Sequence, residues 1–285
     1  MLSSVDPTTG PDFTITAVDC PADHHRGRPD VLPRQDVRLV LMRNGGLRRP
    51  GRGGCARLDP AVGYLGMPGE EERFARPTGD DRCTSISLAP AFWRALAGDA
   101  PRPSGTLLYV DGRLDLAHRQ LLAVTRTADV DHAAAQRLAE LVTGVVRQVV
   151  ATTTPDGGRA GAGDRTLVAR ARGVIGDAHP AASGLVPLAA LLGVSPYRLS
   201  RAFTRELGVS LTRYRNRVRV AHALDRIEEG EPSLAVLASD LGFADQAHLS
   251  RTVREHSGHT PTALRDLLAR GRGRGGRCGL TRPRW

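Results

Sequence analysis

A twelve-residue segment of this chain has a degenerate counterpart fifty residues further on, the two sharing Leu-Ser-Arg at their start and a glycine near their end. Leu199-Ser200-Arg201-Ala202-Phe203-Thr204-Arg205-Glu206-Leu207-Gly208-Val209-Ser210 lines up with Leu249-Ser250-Arg251-Thr252-Val253-Arg254-Glu255-His256-Ser257-Gly258-His259-Thr260. Upstream, Leu188-Ala189 and Gly193 match Leu237-Ala238 and Gly242 at an offset of 49, so the second copy has gained one residue in its turn. Self-similarity of this kind marks one supersecondary unit used twice.

Each copy has the grammar of a helix-turn-helix. A short helix with the apolar face Leu185/Leu188/Ala189/Leu192, or Leu234/Leu237/Ala238/Leu241, stops at a glycine that can adopt positive φ. A second helix then opens with Pro196 in one copy, where a first-turn proline loses no hydrogen bond, and near Asp245 in the other, where Asp can cap. Within it Leu199 and Phe203, or Leu249 and Val253, stand four apart and face the core, so the residues between them face out.

That outward set is Tyr197, Arg198, Ser200, Arg201 and Thr204 in the first copy, and Gln246, Ala247, His248, Ser250, Arg251 and Arg254 in the second. In a helix-turn-helix the exposed start of the second helix enters the major groove, where base edges carry a distinct donor and acceptor code. Arg201 and Arg251 suit bidentate contacts to guanine, Gln246 suits adenine, and the serines and Tyr197 suit bases or phosphates. The plain alternative for any one of them is a solvated surface side chain.

Between the copies, Leu211–Glu229 carries Leu211, Tyr214, Val218, Ala221, Leu224 and Ile227 at helical spacing and ends at Gly230 and Pro232. Nineteen residues at about 1.5 Å each make a rod of roughly 28 Å. One turn of DNA is roughly 34 Å, so such a rod predicts two reading helices over successive major grooves and a site of about 15 to 20 base pairs.

Charge follows the same division. Residues 1–163 hold 20 Arg against 19 acids, residues 164–270 hold 15 against 11, and residues 271–285 hold five against none. A near-neutral front and a basic back suit a second half that meets a polyanion. All 40 basic residues are Arg, a usage that fits a GC-rich genome but also supplies planar, bidentate donors.

The front reads differently. VRLVLM at 37–42 before Asn44-Gly45-Gly46, TSISL at 84–88 before Ala89-Pro90, and Leu107–Val110 before Asp111-Gly112 are short extended segments separated by turn chemistry, as in a β-sandwich or small barrel. From Val130 to Val150, Leu138, Leu141, Val142, Val145, Val146 and Val149 stack on one helical face. That face packs on its own β-domain or pairs with the same helix of a second subunit. Residues 151–163, ATTTPDGGRAGAG, read as a flexible linker, and Asp164 as the cap of a helix carrying Leu167, Val168, Ala171, Val174 and Ile175. Residues 271–285 form a basic tail without a packable pattern.

Leu-Ala-x-x-x-Gly-Val-Ser-Pro-x-x-Leu-Ser-Arg-x-Phe at 188–203, then Tyr214, Arg219 and Ala223, then Gly242-Phe243 through Ser250-Arg251, and finally Gly258, Pro261 and Arg265, together resemble the AraC/XylS family of bacterial transcriptional regulators over about 100 residues. Leu249 and Val253 depart from it, standing where the family places phenylalanines, which predicts a second unit that is less stable or docked differently. The resemblance implies a transcription regulator, an activator rather than a repressor, acting on double-stranded promoter DNA with RNA polymerase as partner. It also implies an N-terminal cupin-like domain for sensing a small-molecule effector or dimerising.

The expected architecture is therefore α+β with two domains. Residues 1–150 form a β-rich, cupin-like effector and dimerisation domain with a helical end, a homodimer running through the 130–150 helix where one forms. A linker at 151–163 leads to an all-α double helix-turn-helix domain at 164–270, followed by the tail. No cofactor, metal or catalytic set is expected. His24, His25 and the run Glu70-Glu71-Glu72 are the only metal candidates, and adjacent histidines on an extended chain point apart. The acidic run reads as a solvated loop, and Cys20, Cys55, Cys83 and Cys278 form no C-x-x-C pair. MLSSVDPTTGPDF lacks a signal-peptide pattern and no run of about 18 apolar residues occurs, so the cytoplasm is the expected location and no membrane the expected partner. The competing readings are a cupin-type metalloenzyme with an appended helical domain, and a non-specific nucleic-acid binder working through its tail.

Overall fold

The computed structural model describes residues 3–4, 8–20, 35–51, 54–70, 72–75, 81–98, 106–125, 131–152 and 161–269. Among the described residues nine strands come first: β1 (Ser3–Ser4), β2 (Thr8–Thr9), β3 (Phe13–Cys20), β4 (Val37–Asn44), β5 (Leu47–Gly51), β6 (Gly54–Leu58), β7 (Val62–Gly66), β8 (Asp81–Leu88) and β9 (Thr106–Tyr109). Helix α1 (Pro90–Ala97) interrupts them, and α2 (Gly112–Val124) and α3 (Asp131–Thr152) follow. The remainder is helical: α4 (Ala162–Gly176), a 3-10 turn at Pro180–Ser183, α5 (Leu185–Leu192), α6 (Pro196–Leu207), α7 (Leu211–Glu228), α8 (Leu234–Asp240), α9 (Gln246–Ser257) and α10 (Pro261–Ala269).

The main sheet is antiparallel, in the order β1-β3-β8-β4-β7-β9 with β2 also on β3, and β5 and β6 form a separate hairpin. Strand β4 is buried on both faces. Leu39 and Leu41 face a core shared with Ile86, Trp93, Leu121 and Leu141, whereas Val40 and Met42 face Leu47, Leu58 and Tyr64 on the side of the hairpin. Burial on two sides is why VRLVLM shows no apolar and polar alternation.

The expected cupin-like barrel is not formed. Among the described residues β9 pairs only with β7, and β1 and β2 pair only with β3, so the sheet stays open at both ends. The face that a barrel would close on itself is covered instead by α1, α2 and α3. Leu138, Leu141, Val142, Val145 and Val149 of α3 are all in that core and Val146 packs against it, so the stripe packs on its own β-domain.

Two local expectations also change. Gly161 rather than Asp164 caps α4; Asp164 lies in the first turn, where its charge favours the helix N-terminus. Glu72 is not solvated but buried, with an oxygen 2.9 Å from Arg38 Nη1, and Glu70 accepts from the Tyr64 hydroxyl at 3.1 Å. Cys83 is buried. His24, His25, Glu71, Cys278, the linker residues 153–160 and the tail 271–285 lie outside the described residues.

The two halves of the chain meet over an extensive seam. Ala61, Val62 and Tyr109 belong to the same apolar cluster as Leu188, Leu199 and Phe203, and Leu116 to that of Leu237, Leu249 and Val253.

Candidate nucleic-acid interface

Local sequence dictates both helix-turn-helix units. Helix α5 ends at Gly193, φ 69°, and the corresponding Gly242 after α8 has φ 67°, a left-handed conformation that L side chains with a Cβ rarely adopt. Helix α6 then starts on Ser195, whose hydroxyl accepts from the Arg198 amide at 3.2 Å, with Pro196 in its first turn. Helix α9 starts on Asp245, whose carboxylate accepts from the His248 amide at 2.6 Å. Each cap satisfies a backbone donor that would otherwise lack a helical partner.

The inward faces are dry. Leu199 and Phe203, and likewise Leu249 and Val253, are fully buried. Phe203 meets Tyr214 of α7 edge to face, with ring centroids 5.5 Å apart. The outward residues fall where their spacing puts them. Tyr197 is 69% exposed, Arg198, Arg201 and Thr204 are exposed, and Ser200 is half-buried. In the second unit Gln246, Ala247, Arg251 and Arg254 are exposed, while His248 and Ser250 are half-buried.

These side chains differ in readiness. Arg201 donates from Nη1 to the Tyr197 hydroxyl at 2.7 Å and stacks over that ring at 5.4 Å, so a cation and a phenol are held together on the open face of α6. Thr204 spends its hydroxyl on the Ser200 carbonyl at 3.2 Å. His248 lies edge-on to Phe243 at 5.4 Å, and its Nδ1 accepts from the Ala244 amide at 3.4 Å, so it buttresses the turn as well as facing outward. Arg219 of α7 stacks over the other side of the turn, its guanidinium 5.6 Å from the Phe243 ring.

Sequence reasoning missed the residues that anchor this interface to the rest of the molecule. Asp59, 5% exposed, receives Arg172 from α4 (Nε at 2.9 Å) and the Tyr214 hydroxyl from α7 at 2.7 Å. Arg217 of α7 donates to the carbonyls of Val110 and Pro60 at 2.7 and 3.1 Å and lies 3.2 Å from Asp115 of α2. Arg119 of α2 reaches Asp225 and Glu228 of α7 at 2.9 and 2.8 Å, and Arg43 of β4 joins them. Burial alone would raise the Asp115 carboxyl, but Arg119, Arg217 and Arg43 outweigh it and hold it well below the usual carboxylate range. Glu228 is lowered in the same way, burial being outweighed by Arg43 and Arg119. Tyr214, Arg217, Ala221, Asp225 and Glu228 recur at three- and four-residue steps and so share one face of α7. Part of that face carries charges, so an apolar periodicity reads only the rest of it.

Among the described residues, no group of three or more His, Cys, Asp or Glu is arranged to hold a metal ion, and no helix is long and apolar enough to cross a membrane.

Residues 188–266 match the family model described as a helix-turn-helix domain. Over 72 residues the chain is 31% identical to the arabinose operon regulatory proteins of Salmonella typhimurium and Escherichia coli, a stretch covering 25% of this chain and 26% and 25% of theirs. The chain thus matches about a quarter of the length of these relatives. Among solved structures it is similar to ToxT from Vibrio cholerae O395, with 12% identity and a TM-score of 0.38 over 90% of this chain and 98% of that one. An AraC-type transcriptional regulator from Chromobacterium violaceum shows 26% identity and a TM-score of 0.35 over 38% of this chain and 96% of its own.

Proposed function

We propose that the chain, whose residues 188–266 match a helix-turn-helix domain and align with the arabinose operon regulatory proteins, is a sequence-specific DNA-binding transcriptional regulator of AraC/XylS type whose helices α6 and α9 read successive major grooves of a promoter. The observation that carries this reading is the paired construction of the two units. In both, a capped helix buries its i and i+4 apolar pair and turns a polar set with two arginines and a serine outward from its first turns, joined by Gln246 in the second unit. Tyr197, Arg198, Ser200, Arg201 and Thr204 of α6, and Gln246, Ala247, His248, Ser250, Arg251 and Arg254 of α9, are the proposed contacts. Arg201 and Arg251 are the guanine readers.

In this reading the organisation is that of a β-rich N-terminal regulatory domain ending near residue 150, a connection at 151–163, and a DNA-binding domain at 164–270. A small-molecule effector would act on the N-terminal domain by favouring one arrangement of the two halves over another. Contact with RNA polymerase and activation rather than repression belong to the same proposal and follow the family.

The test is selection of bound fragments from the organism's own genomic DNA, followed by footprinting. Two protected segments about one helical turn apart support the reading. Sequence-independent binding that disappears when residues 271–285 are deleted would leave only a non-specific binder. Stoichiometric metal in the purified protein would reopen the metalloenzyme alternative.

A further inference from the structure

The second helix-turn-helix unit is not assembled from the C-terminal half alone. Helix α2 belongs by sequence to the first half, yet it packs on α7, α9 and α10. Its Leu116, 5% exposed, lies in the cluster that contains Val220, Leu237, Phe243, Leu249 and Val253. The two recognition-helix positions in that cluster are the ones where Leu249 and Val253 offer less side-chain volume than the pair Leu199 and Phe203 of the first unit. An outside side chain helps fill this core. Helix α6 packs on α4, α5 and α7, and the cluster around its Leu199 and Phe203 takes Ala61, Val62 and Tyr109 from the first half but no residue of α2.

The contact is closest at the first turn of α2. A Cβ at Gly112 would lie 2.7 Å from the carbonyl oxygen of His256 and 2.8 Å from its carbon, in the last turn of α9. The obstacle is backbone, which cannot swing aside as a long side chain can. Further along α2, Asp115 receives Arg217 and Arg119 grips Asp225 and Glu228, so the same helix is fixed to α7 by buried charge. With α7 and α9 both held, α2 has little freedom to move without moving α9.

We propose that α2 is the positioning element of the second reading helix. Gly112 and Leu116 set where α9 stands relative to α6, so that a displacement of α2 is felt at the half-site read by α9 and not at the one read by α6. Gly112 and Leu116 are positioning residues; neither is among the proposed DNA contacts. The half-site consequence rests on the DNA-reading function proposed above, whereas the coupling of α2 to α9 does not.

The experiment therefore has two arms, both on the full chain carrying Gly112→Ala or Leu116→Ala. In the first, hydrogen exchange is followed without DNA. Amides of 246–257 should exchange about tenfold faster or more, with those of 196–207 unchanged. In the second, a genomic fragment selected by the wild-type chain is prepared in two forms, each with base substitutions under one reading helix. Discrimination at the α9 half-site should fall by about tenfold, with the α6 half-site unaffected. Equal loss in both units, or no change in either, would overturn the proposal. Ala in a first helical turn is otherwise better tolerated than Gly, so loosening by Gly112→Ala points to the His256 contact rather than to helix propensity. Should Leu116→Ala fail to fold, Gly112→Ala carries both arms. If the wild-type chain selects no fragment, the DNA-reading function fails and the exchange arm still decides the coupling.

Discussion

Arg217 stands on the connecting helix α7, yet its Nε donates to the Val110 carbonyl at 2.7 Å, across the seam in the other half of the chain. The side chain is wholly buried. It ties a backbone group at the end of β9 to the helix that separates α6 from α9, so the N-terminal half and the helix-turn-helix half share one set of desolvated charges. Such an arrangement has sharp consequences when a member is removed, because the partners left behind are buried without compensation.

Arg217→Ala should destabilise the protein by about 3 kcal/mol, since it strands two carbonyl groups and removes one of the cations facing Asp115. Chemical denaturation followed by far-UV circular dichroism measures this. A loss below about 1 kcal/mol would mean that the seam is far more hydrated than its geometry implies.

Acid should weaken the fold before the carboxylates titrate. His118 is buried beside Thr84, its Nε2 2.8 Å from the hydroxyl, and burial followed by the charge of Arg43 lowers it from an ordinary 6.5 to about 3. The unfolded chain therefore takes up a proton first as the pH falls. The stabilising contribution is whole above pH 6.5 and is lost between 6.5 and about 3, at up to about 1.4 kcal/mol per pH unit. His256 is lowered too, by burial and then Arg217 and Arg213, and acts in the same direction. Denaturation midpoints between pH 7.5 and 5 should show the slope, and His118→Gln should flatten it; an unchanged slope would assign it elsewhere.

The caps should be worth similar amounts in the two units. Ser195→Ala and Asp245→Ala each remove a side-chain acceptor for a first-turn amide and should cost about 1 kcal/mol. Asp245→Asn, which keeps an acceptor, should cost less than Asp245→Ala. Thermal or denaturant unfolding of the three variants gives the comparison.

Base discrimination should reside in Arg201 and Arg251. Replacing either by Ala should relax discrimination at one base position by about 1–3 kcal/mol while leaving the other positions unaltered. Affinities on a panel of single-base substitutions check this, and a uniform loss on every sequence would reduce both residues to phosphate contacts. Tyr197→Phe removes the hydroxyl that now holds Arg201 and should alter affinity less than Arg201→Ala.

The repeat, the stop glycines, the helix starts at Pro196 and Asp245 and the burial of Leu199, Phe203, Leu249 and Val253 were all legible in the amino-acid sequence. Each depends on residues within about one helical turn of each other, where spacing alone sets which face a side chain occupies. The strands at 37–42, 84–88 and 107–110 were legible for the same reason, from local β-propensity and turn residues. Helix α2 was not. Its inward set includes Asp115, His118 and Arg119, so a scan for apolar periodicity passes over it although all three are buried.

What the tertiary structure alone decided lies at long range. Whether the sheet closes depends on the fate of its two edges, β9 and the β1/β2 pair, which no spacing records; α1, α2 and α3 occupy the face that closure would have used, and the apolar stripe of α3 is buried there. The pairings of Asp59 with Arg172 and Tyr214, and of Arg119 with Asp225 and Glu228, join residues about a hundred or more positions apart. The charged members look like ordinary surface residues in sequence, because Arg, Asp and Glu are usually solvated, and they become tethers only when folding buries Asp59, Arg172 and Arg119 and brings the half-buried Asp225 and Glu228 against Arg119. Sequence thus determined that the chain has two helix-turn-helix units; the packing of α2 and the buried arginines decided how firmly each is held.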